Sequence, residues 1–252
     1  MNDTTIDLNA DLGEGFGAWR MGDDDALLDI VTSANVACGF HAGDPTTMAR
    51  VSAEAARRGV RIGAHVSWRD LEGFGRRDLQ IDPAEVRLEV IAQLGSLRAL
   101  ASSVGAEVTY VKAHGALYNR CFHDDAMADA LVDAVASFDP ALVLLGQPGA
   151  VVLRSAARAG VSIATEGFAD RAYLPSGQLM PRSQPGAMLD EDAAVWQALQ
   201  LATGHKVSTI DGEIEVRVQS LCVHGDNPDA VALARRIRAE LLAAGVALRP
   251  LT

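Results

Sequence analysis

The sequence predicts an α/β barrel of about seven parallel strands, and three observations carry that prediction. Strand-like and helix-like stretches alternate about seven times, the pattern of βαβ units. No linker, repeat or low-complexity segment interrupts them, and 252 residues suit one barrel domain spanning 1–252. Most of the strands finish in polar residues, which implies one shared mouth at their C-terminal ends. An open doubly wound sheet, the competing arrangement, would gather such residues near one switch point.

The first strand sets the theme. Ile6, Leu8, Ala10 and Leu12 alternate with Asp7, Asn9 and Asp11, giving one apolar and one polar face. The polar face is either a solvated edge or the lining of a central site, with Glu14 carried on the glycine-rich turn after it. The matching ends of later strands favour the lining.

Asp23-Asp24-Asp25 suits the positive end of a helix beginning near Ala26. Residues 33–38 form a short strand, after which Asp44 and Pro45 supply the cap and first turn of a helix reaching Arg58 and stopped by Gly59. Residues 60–66 are a strand containing His65, and the polar loop 67–77 is a candidate lid. Asp82-Pro83 opens a helix to about Val104, ended by Gly105. The strand 108–112 runs into Ala113-His114-Gly115, and residues 124–137 are helical. Residues 142–145 are an apolar strand, followed by a helix from Pro148-Gly149 to about Gly160. The strand 161–165 closes in Glu166-Gly167-Phe168-Ala169-Asp170-Arg171. A glycine- and proline-rich loop covers 175–186, and a helix runs from about Asp190 to Thr203. Residues 210–216 read as a hairpin with Asp211-Gly212 at its turn. Residues 220–223 are the last core strand, and Asn227-Pro228 caps a final helix to about Ala244.

Composition narrows the function. With 22 Lys and Arg against 33 Asp and Glu, the net charge is −11, which disfavours nucleic acid and acidic membranes. A small anionic ligand would need a locally basic pocket. Cys38, Cys121 and Cys222 are widely spaced without a C-x-x-C pair, unlike a disulfide framework or zinc ribbon. The polar, acidic first residues are unlike a signal peptide, and the most apolar stretch, 141–152, is too short to cross a bilayer. A soluble cytoplasmic protein is expected.

The chemistry-bearing residues cluster at strand ends. Lys112 and His114, two apart, point to the same side. Around them stand Asp7, Asn9, Asp11, Glu14, His41, Asp44, His65, Asn119, Glu166, Asp170, Arg171, His224 and Asp226. Asp44 and Asn227 read as helix caps, and His123 and His205 as solvated loop residues. Four histidines at strand ends with carboxylates can hold a divalent metal or act directly as acids and bases; no compact ligand signature decides between these. Lys112 is either an anchor or oxyanion donor, or the partner of Asp11 or Glu14 in a salt bridge. The match of residues 13–18 to a dinucleotide fingerprint opens no apolar helix and is rejected, and no Walker-type phosphate loop is present. Cys38 reads as buried filler.

Six stretches together resemble the LamB/YcsF family, in order along the chain: DLNADLGEGFG from Asp7, ANVACGFHAGDP from Ala34, GAH with EGFGRR from Gly63, VKAHGALYN from Val111, EGFADRAY from Glu166 and CVHGDNP from Cys222. The resemblance implies a distorted TIM-like barrel of the glycoside hydrolase/deacetylase type. It also implies ATP-dependent 5-oxoprolinase chemistry, opening the lactam of 5-oxo-L-proline to L-glutamate, with this chain as the A component beside partner subunits B and C. Ala10 stands where the family usually has a cysteine, so no nucleophile is expected there, and the stretch His65-Val66-Ser67-Trp68-Arg69 departs from the family form. On this reading Asp11, Glu14, His65, Lys112 and His114 are catalytic. Asn9, His41, Asn119, Glu166, Arg171, His224 and Asp226 bind substrate. ATP is the cofactor, bound here or with the partners, and a divalent metal is a further candidate. The rival readings are a stand-alone metal-dependent amidohydrolase or deacetylase, and a binding component without catalysis.

Overall fold

The computed structural model describes residues 4–224 and 229–251. The first six strands are β1 (Thr5–Leu12), β2 (Ser33–Ala37), β3 (Arg61–Val66), β4 (Val108–Ala113), β5 (Val143–Gly146) and β6 (Ile163–Phe168), each parallel to the next. An antiparallel hairpin, β7 (Lys206–Thr209) with β8 (Gly212–Glu215), stands apart from them. Then β9 (Ser220–Val223) pairs in parallel with both β6 and β1 and closes the barrel. Among the described residues the barrel thus has seven strands, as the alternation predicts. A short strand, β10 (Ala247–Leu248), adds to the start of β1.

The helices lie outside: α1 (Asp24–Leu28), α2 (Pro45–Arg58), α3 (Pro83–Ser103), α4 (Gly115–Arg120), α5 (Asp125–Phe138), α6 (Val151–Ala159), α7 (Glu191–Leu199) and α8 (Ala230–Ala243). Their starts follow the expected chemistry. Asp23, Asp44, Asp82, Asp124 and Asp190 each accept backbone N–H bonds from the first turn, and Pro45 and Pro83 open their helices. Asp44 does more, because its second oxygen accepts the Gly17 N–H at 3.0 Å and fixes the glycine turn after β1. Asn227-Pro228, expected to cap α8, lies outside the described residues.

The pleat of β1 sorts its side chains as the alternation demands. Ile6, Leu8, Ala10 and Leu12 join the large apolar core between barrel and helices. Asp7, Asn9 and Asp11 are equally buried but bond to polar groups of β2, β4 and β9. Tyr110, Leu145, Ala164 and Leu251 form a separate small apolar cluster on the inward side of β4, β5 and β6. No helix among the described residues is long and apolar enough to cross a membrane.

Three local expectations change. The short helix α4 begins at Gly115, directly after His114, where the sequence reading has the strand run on and expects no helix; Gly115 takes φ +58° and lets the chain turn without strain. The hairpin turns at Ile210 and Asp211 rather than Asp211-Gly212, since Val207 is buried and pairs with Ile214, a register the exposed neighbours conceal. The loop 67–77 is pinned rather than a loose lid. Asp70 accepts the Gly73 and Arg77 N–H groups and ion-pairs with the Arg77 guanidinium.

Gly63 shows how closely the barrel interior is fitted. A Cβ there would overlap ring carbons of the fully buried Tyr110, whose hydroxyl donates to Asn35 at 2.7 Å. Gly63→Ala is therefore expected to displace this ring and cost about 1–3 kcal/mol, read as a fall of several degrees in Tm. An unchanged Tm would show that the ring relaxes freely.

Candidate functional site

A cavity of about 500 Å³ opens at the C-terminal ends of the strands. Asp11, His65, Lys112, His114, Asn119, Arg171 and His224 line it, so seven of the residues expected at the site share one space. Asn9, Glu14, His41 and Glu166, expected to act in that space, are not part of its lining. Asn9 and Glu166 sit one inward step below Asp11 and Phe168 on β1 and β6, while Glu14 and His41 pack against His114. They support the wall instead of forming it. Asp226 lies outside the described residues.

Lys112 is the hub. Its ammonium lies 3.3 Å from Asp11, 3.0 Å from Glu166, 3.4 Å from the Asn9 carbonyl oxygen and 3.1 Å from the Cys222 sulfur. Its expected partner Asp11 is present, but the second is Glu166 rather than Glu14. Burial alone would depress the Lys112 pKa, yet Asp11, Cys222 and Glu166 outweigh it and hold it well above the usual range. For Asp11 burial pulls upward, while His65 and Lys112 hold the carboxyl well below its usual range. Asn35 completes this layer by donating to Asn9 at 2.7 Å and to Asp11 at 2.8 Å. The register explains the meeting, with Asp11 opposite Asn35, and His65 opposite Lys112.

Three imidazoles stand beside this layer. His65 Nε2 lies 3.2 Å from Asp11 and 3.0 Å from His114 Nδ1. His114 donates from Nε2 to the Phe74 carbonyl at 2.9 Å, which leaves Nδ1 as a lone pair. His41 stacks on His114 at 3.9 Å, with Nε2 3.3 Å from Glu14. Burial pushes His41 and His114 well below the usual histidine range, so both rings stay neutral. Gly75 lets the pinned loop close over them, since a Cβ there would meet Ser67, His41 and His114.

Across the cavity, His224 donates from Nδ1 to both oxygens of Asp170, at 2.9 and 2.8 Å. Burial would raise the Asp170 carboxyl, but His224 leads the groups that bring it below the usual range. The bond fixes the ring and leaves Nε2 as the acceptor. Arg171 lines the cavity but directs Nε and Nη2 to the carbonyls of Ala187 and Met180, so it also holds the loop 174–189.

Two donor groups have the composition of a metal site. Glu14, His41, His65 and His114 offer ligand atoms within 4.8 Å of one another, as do Asp11, Cys222 and His224. The first group fits a divalent cation of the zinc type: three imidazoles and a carboxylate, all buried, with His41 Nδ1 lacking any hydrogen-bond partner among the described residues. The second does not, because the Lys112 ammonium already sits on Asp11 and Cys222, and burial keeps that thiol protonated. Cys38 is indeed buried filler, its thiol pushed up to about 12 by burial.

Asn35, Tyr110 and Cys222 bond to the hub or its neighbours, yet none is among the residues expected at the site. The signal exists for two of them. Tyr110 stands two residues before Lys112 and Cys222 two before His224, each on an inward-facing register.

Replacing Lys112 by Met leaves Asp11 and Glu166 buried without their cation, at an expected cost of about 3–5 kcal/mol. In the wild type the lowered Asp11 pKa gives stabilisation that is complete above the unfolded carboxyl range and lost as pH falls through the folded value. In Lys112→Met one of the groups that lower that carboxyl is lost while its burial remains, so its pKa rises and the penalty fades toward acid. Chemical denaturation at several pH values should show the gap between the proteins closing below neutrality; a constant gap would contradict this.

Comparison with known proteins points the same way. The sequence pattern of the LamB/YcsF family is matched over residues 6–252. The chain is 57% identical over 242 residues to the A subunit of 5-oxoprolinase from Nocardia farcinica (strain IFM 10152), covering 96% of this chain and 97% of that one. It is similar to the crystal structure of a lactam utilization protein from Thermus thermophilus, with TM-score 0.93 and 42% identity over 98% of this chain and 100% of that chain. The catalytic domain of a peptidoglycan N-acetylglucosamine deacetylase from Eubacterium rectale ATCC 33656 shares the fold, with TM-score 0.56 at 14% identity over 99% and 89% of the chains.

Proposed function

The chain belongs to the LamB/YcsF family, and from that premise we propose that it is the A subunit of a 5-oxoprolinase, opening the lactam of 5-oxo-L-proline to L-glutamate. The observation that carries the reading is the convergence of Asp11, His65, Lys112, His114 and His224 on one cavity. ATP activates the lactam oxygen, and nucleotide handling falls to subunits B and C, in keeping with the lack of a phosphate loop in this sequence. The assembly works in the cytoplasm.

The residues divide the work by position. His224, oriented by Asp170, takes a proton at Nε2 from the attacking water. ATP transfers its terminal phosphoryl group to the lactam oxygen and leaves as ADP. Water oxygen bonds to the lactam carbon, and the carbon–nitrogen bond breaks as the ring nitrogen takes a solvent proton passed through the His65–His114 pair. A second water releases the phosphoryl group of the resulting acyl phosphate as inorganic phosphate. Lys112 keeps Asp11 ionised and sets a positive potential under the developing oxyanion. Arg171 or Lys112 faces the anionic part of the substrate. Asn119, exposed on α4, contacts substrate at the mouth. A divalent cation held by Glu14, His41, His65 and His114 would take the nitrogens of the His65–His114 pair and supply Lewis-acid polarisation in place of that relay.

With ATP and subunits B and C, glutamate release from 5-oxoproline is expected, and His224→Gln or Asp11→Asn should lower kcat by about a hundredfold or more while the chain stays folded. Full turnover by both variants would remove this assignment. Turnover without ATP or partners would point instead to the stand-alone amidohydrolase.

The metal reading has its own check. The purified chain should hold about one equivalent of a zinc-type ion, and chelation should lower its Tm. Glu14→Gln should reduce the bound metal. Metal-free protein with a chelator-insensitive Tm would exclude a cation at this cluster.

A further inference from the structure

A hydrogen bond along one edge does not by itself fix the plane of a ring. Asp170 holds His224 at Nδ1, which sets the tautomer and anchors that edge. The plane is set by a second contact. The Phe168 ring stacks on the imidazole with centroids 5.6 Å apart and planes 20° from parallel, an offset stack. The same Phe168 ring carries the Lys112 ammonium over it, 5.3 Å from the centroid. Tyr118, on α4, stands nearly perpendicular to Phe168 at 5.6 Å and steadies it from a third element. The strand period explains this meeting. Phe168 ends β6 two residues after Glu166, so both face inward, Glu166 bonded to the ammonium and Phe168 on the cavity wall. On β9 the residue paired with Phe168 is Cys222, and His224 follows it by two. Asp170 likewise follows Phe168 by two. The end of β6 therefore supplies both holds on His224, a carboxylate for its edge and a flat ring for its plane. At 4% exposure Phe168 is packed firmly enough to act as a fixed reference.

We propose that Phe168 is a positioning residue, whose ring sets the plane of the His224 imidazole and keeps it in register with the Lys112 ammonium. An aromatic ring does this where an aliphatic chain of similar size does not. Its flat face aligns a second ring, and the electron density of that face draws a cation. With the edge held by Asp170 and the plane by Phe168, the direction of Nε2 is determined before a reactant arrives. What that direction serves, the activation of water beside the charge of Lys112, rests on the function proposed above; the ordering of the ring does not.

The test is NMR relaxation of the histidine ring carbons in the full chain, comparing wild type with Phe168→Leu, Phe168→Met and Phe168→Tyr. The His224 signal is identified by its absence in His224→Gln. In the wild type the His224 ring should be rigid, with an order parameter of about 0.85. Phe168→Leu should lower it to about 0.6 or less, and Phe168→Met repeats the loss should the leucine variant not fold. Phe168→Tyr should restore the order, and the ring of His41, held by His114 and Glu14, should stay unchanged throughout. A His224 ring as rigid without the aromatic as with it, or as mobile in Phe168→Tyr as in Phe168→Leu, would overturn the proposal. In the complex with ATP and subunits B and C, Phe168→Leu should lower kcat about tenfold and leave KM within about twofold. A wild-type complex that releases no glutamate would sink the function proposed above, while the ring measurement on the chain alone still decides the role of Phe168.

Discussion

The structure depends on the buried positive charge of Lys112. Asp7, Asn9, Asp11, Asn35 and Glu166 all face inward, an arrangement water would normally forbid. The Lys112 ammonium reaches two of those carboxylates and an amide at once, and Asn35 bridges Asn9 to Asp11. Lower down, Asp7 is served by the hydroxyls of Thr32, Ser33 and Ser220, and burial raises its pKa. A hydroxyl lining suffices for a carboxyl that can hold a proton; one that must stay ionised needs the lysine. The barrel interior therefore grades from hydroxyl-served to ion-paired toward the cavity, which is where chemistry needs fixed charge.

Rigidity around the hub comes from backbone detail. The glycine turn after β1 is tied by Asp44, the same residue that starts α2, so Glu14 is placed by a helix cap. His114 is anchored through Phe74 to a loop that Asp70 holds closed. The imidazole cluster thus draws its position from three separate elements, and the Asp170–His224 pair from two more. Side chains fixed this way have little orientation left to lose when a reactant arrives.

Much of this is legible in the sequence, for a physical reason. A strand period of two marks which residues share a face, and barrel closure then forces those faces to converge, so Asp11, His65, Lys112 and His224 can be grouped before any coordinates. The same rule cannot say how deep each residue sits. Their places just after strands put His41 and Glu14 among the expected site residues, yet a turn beyond a strand can fold back under its neighbour, as it does beneath His114. Arg76 and Arg182, which also line the cavity, escape such a reading because loop residues obey no period. Which loop arginine faces inward is decided by contacts such as that of Arg171 with Met180, which the linear order does not reveal.

Barrel closure joins Asp7 of the first strand to Ser220 of the last. During synthesis the amino-terminal strand thus waits for nearly the whole polypeptide before its outer edge finds a partner, with three inward polar side chains uncovered meanwhile. Such long-range closure makes for late, slow completion of folding. On the ribosome the half-made sheet is an open ribbon, and the lysine and its carboxylates acquire their shared shelter only once the final turn of the ring is in place.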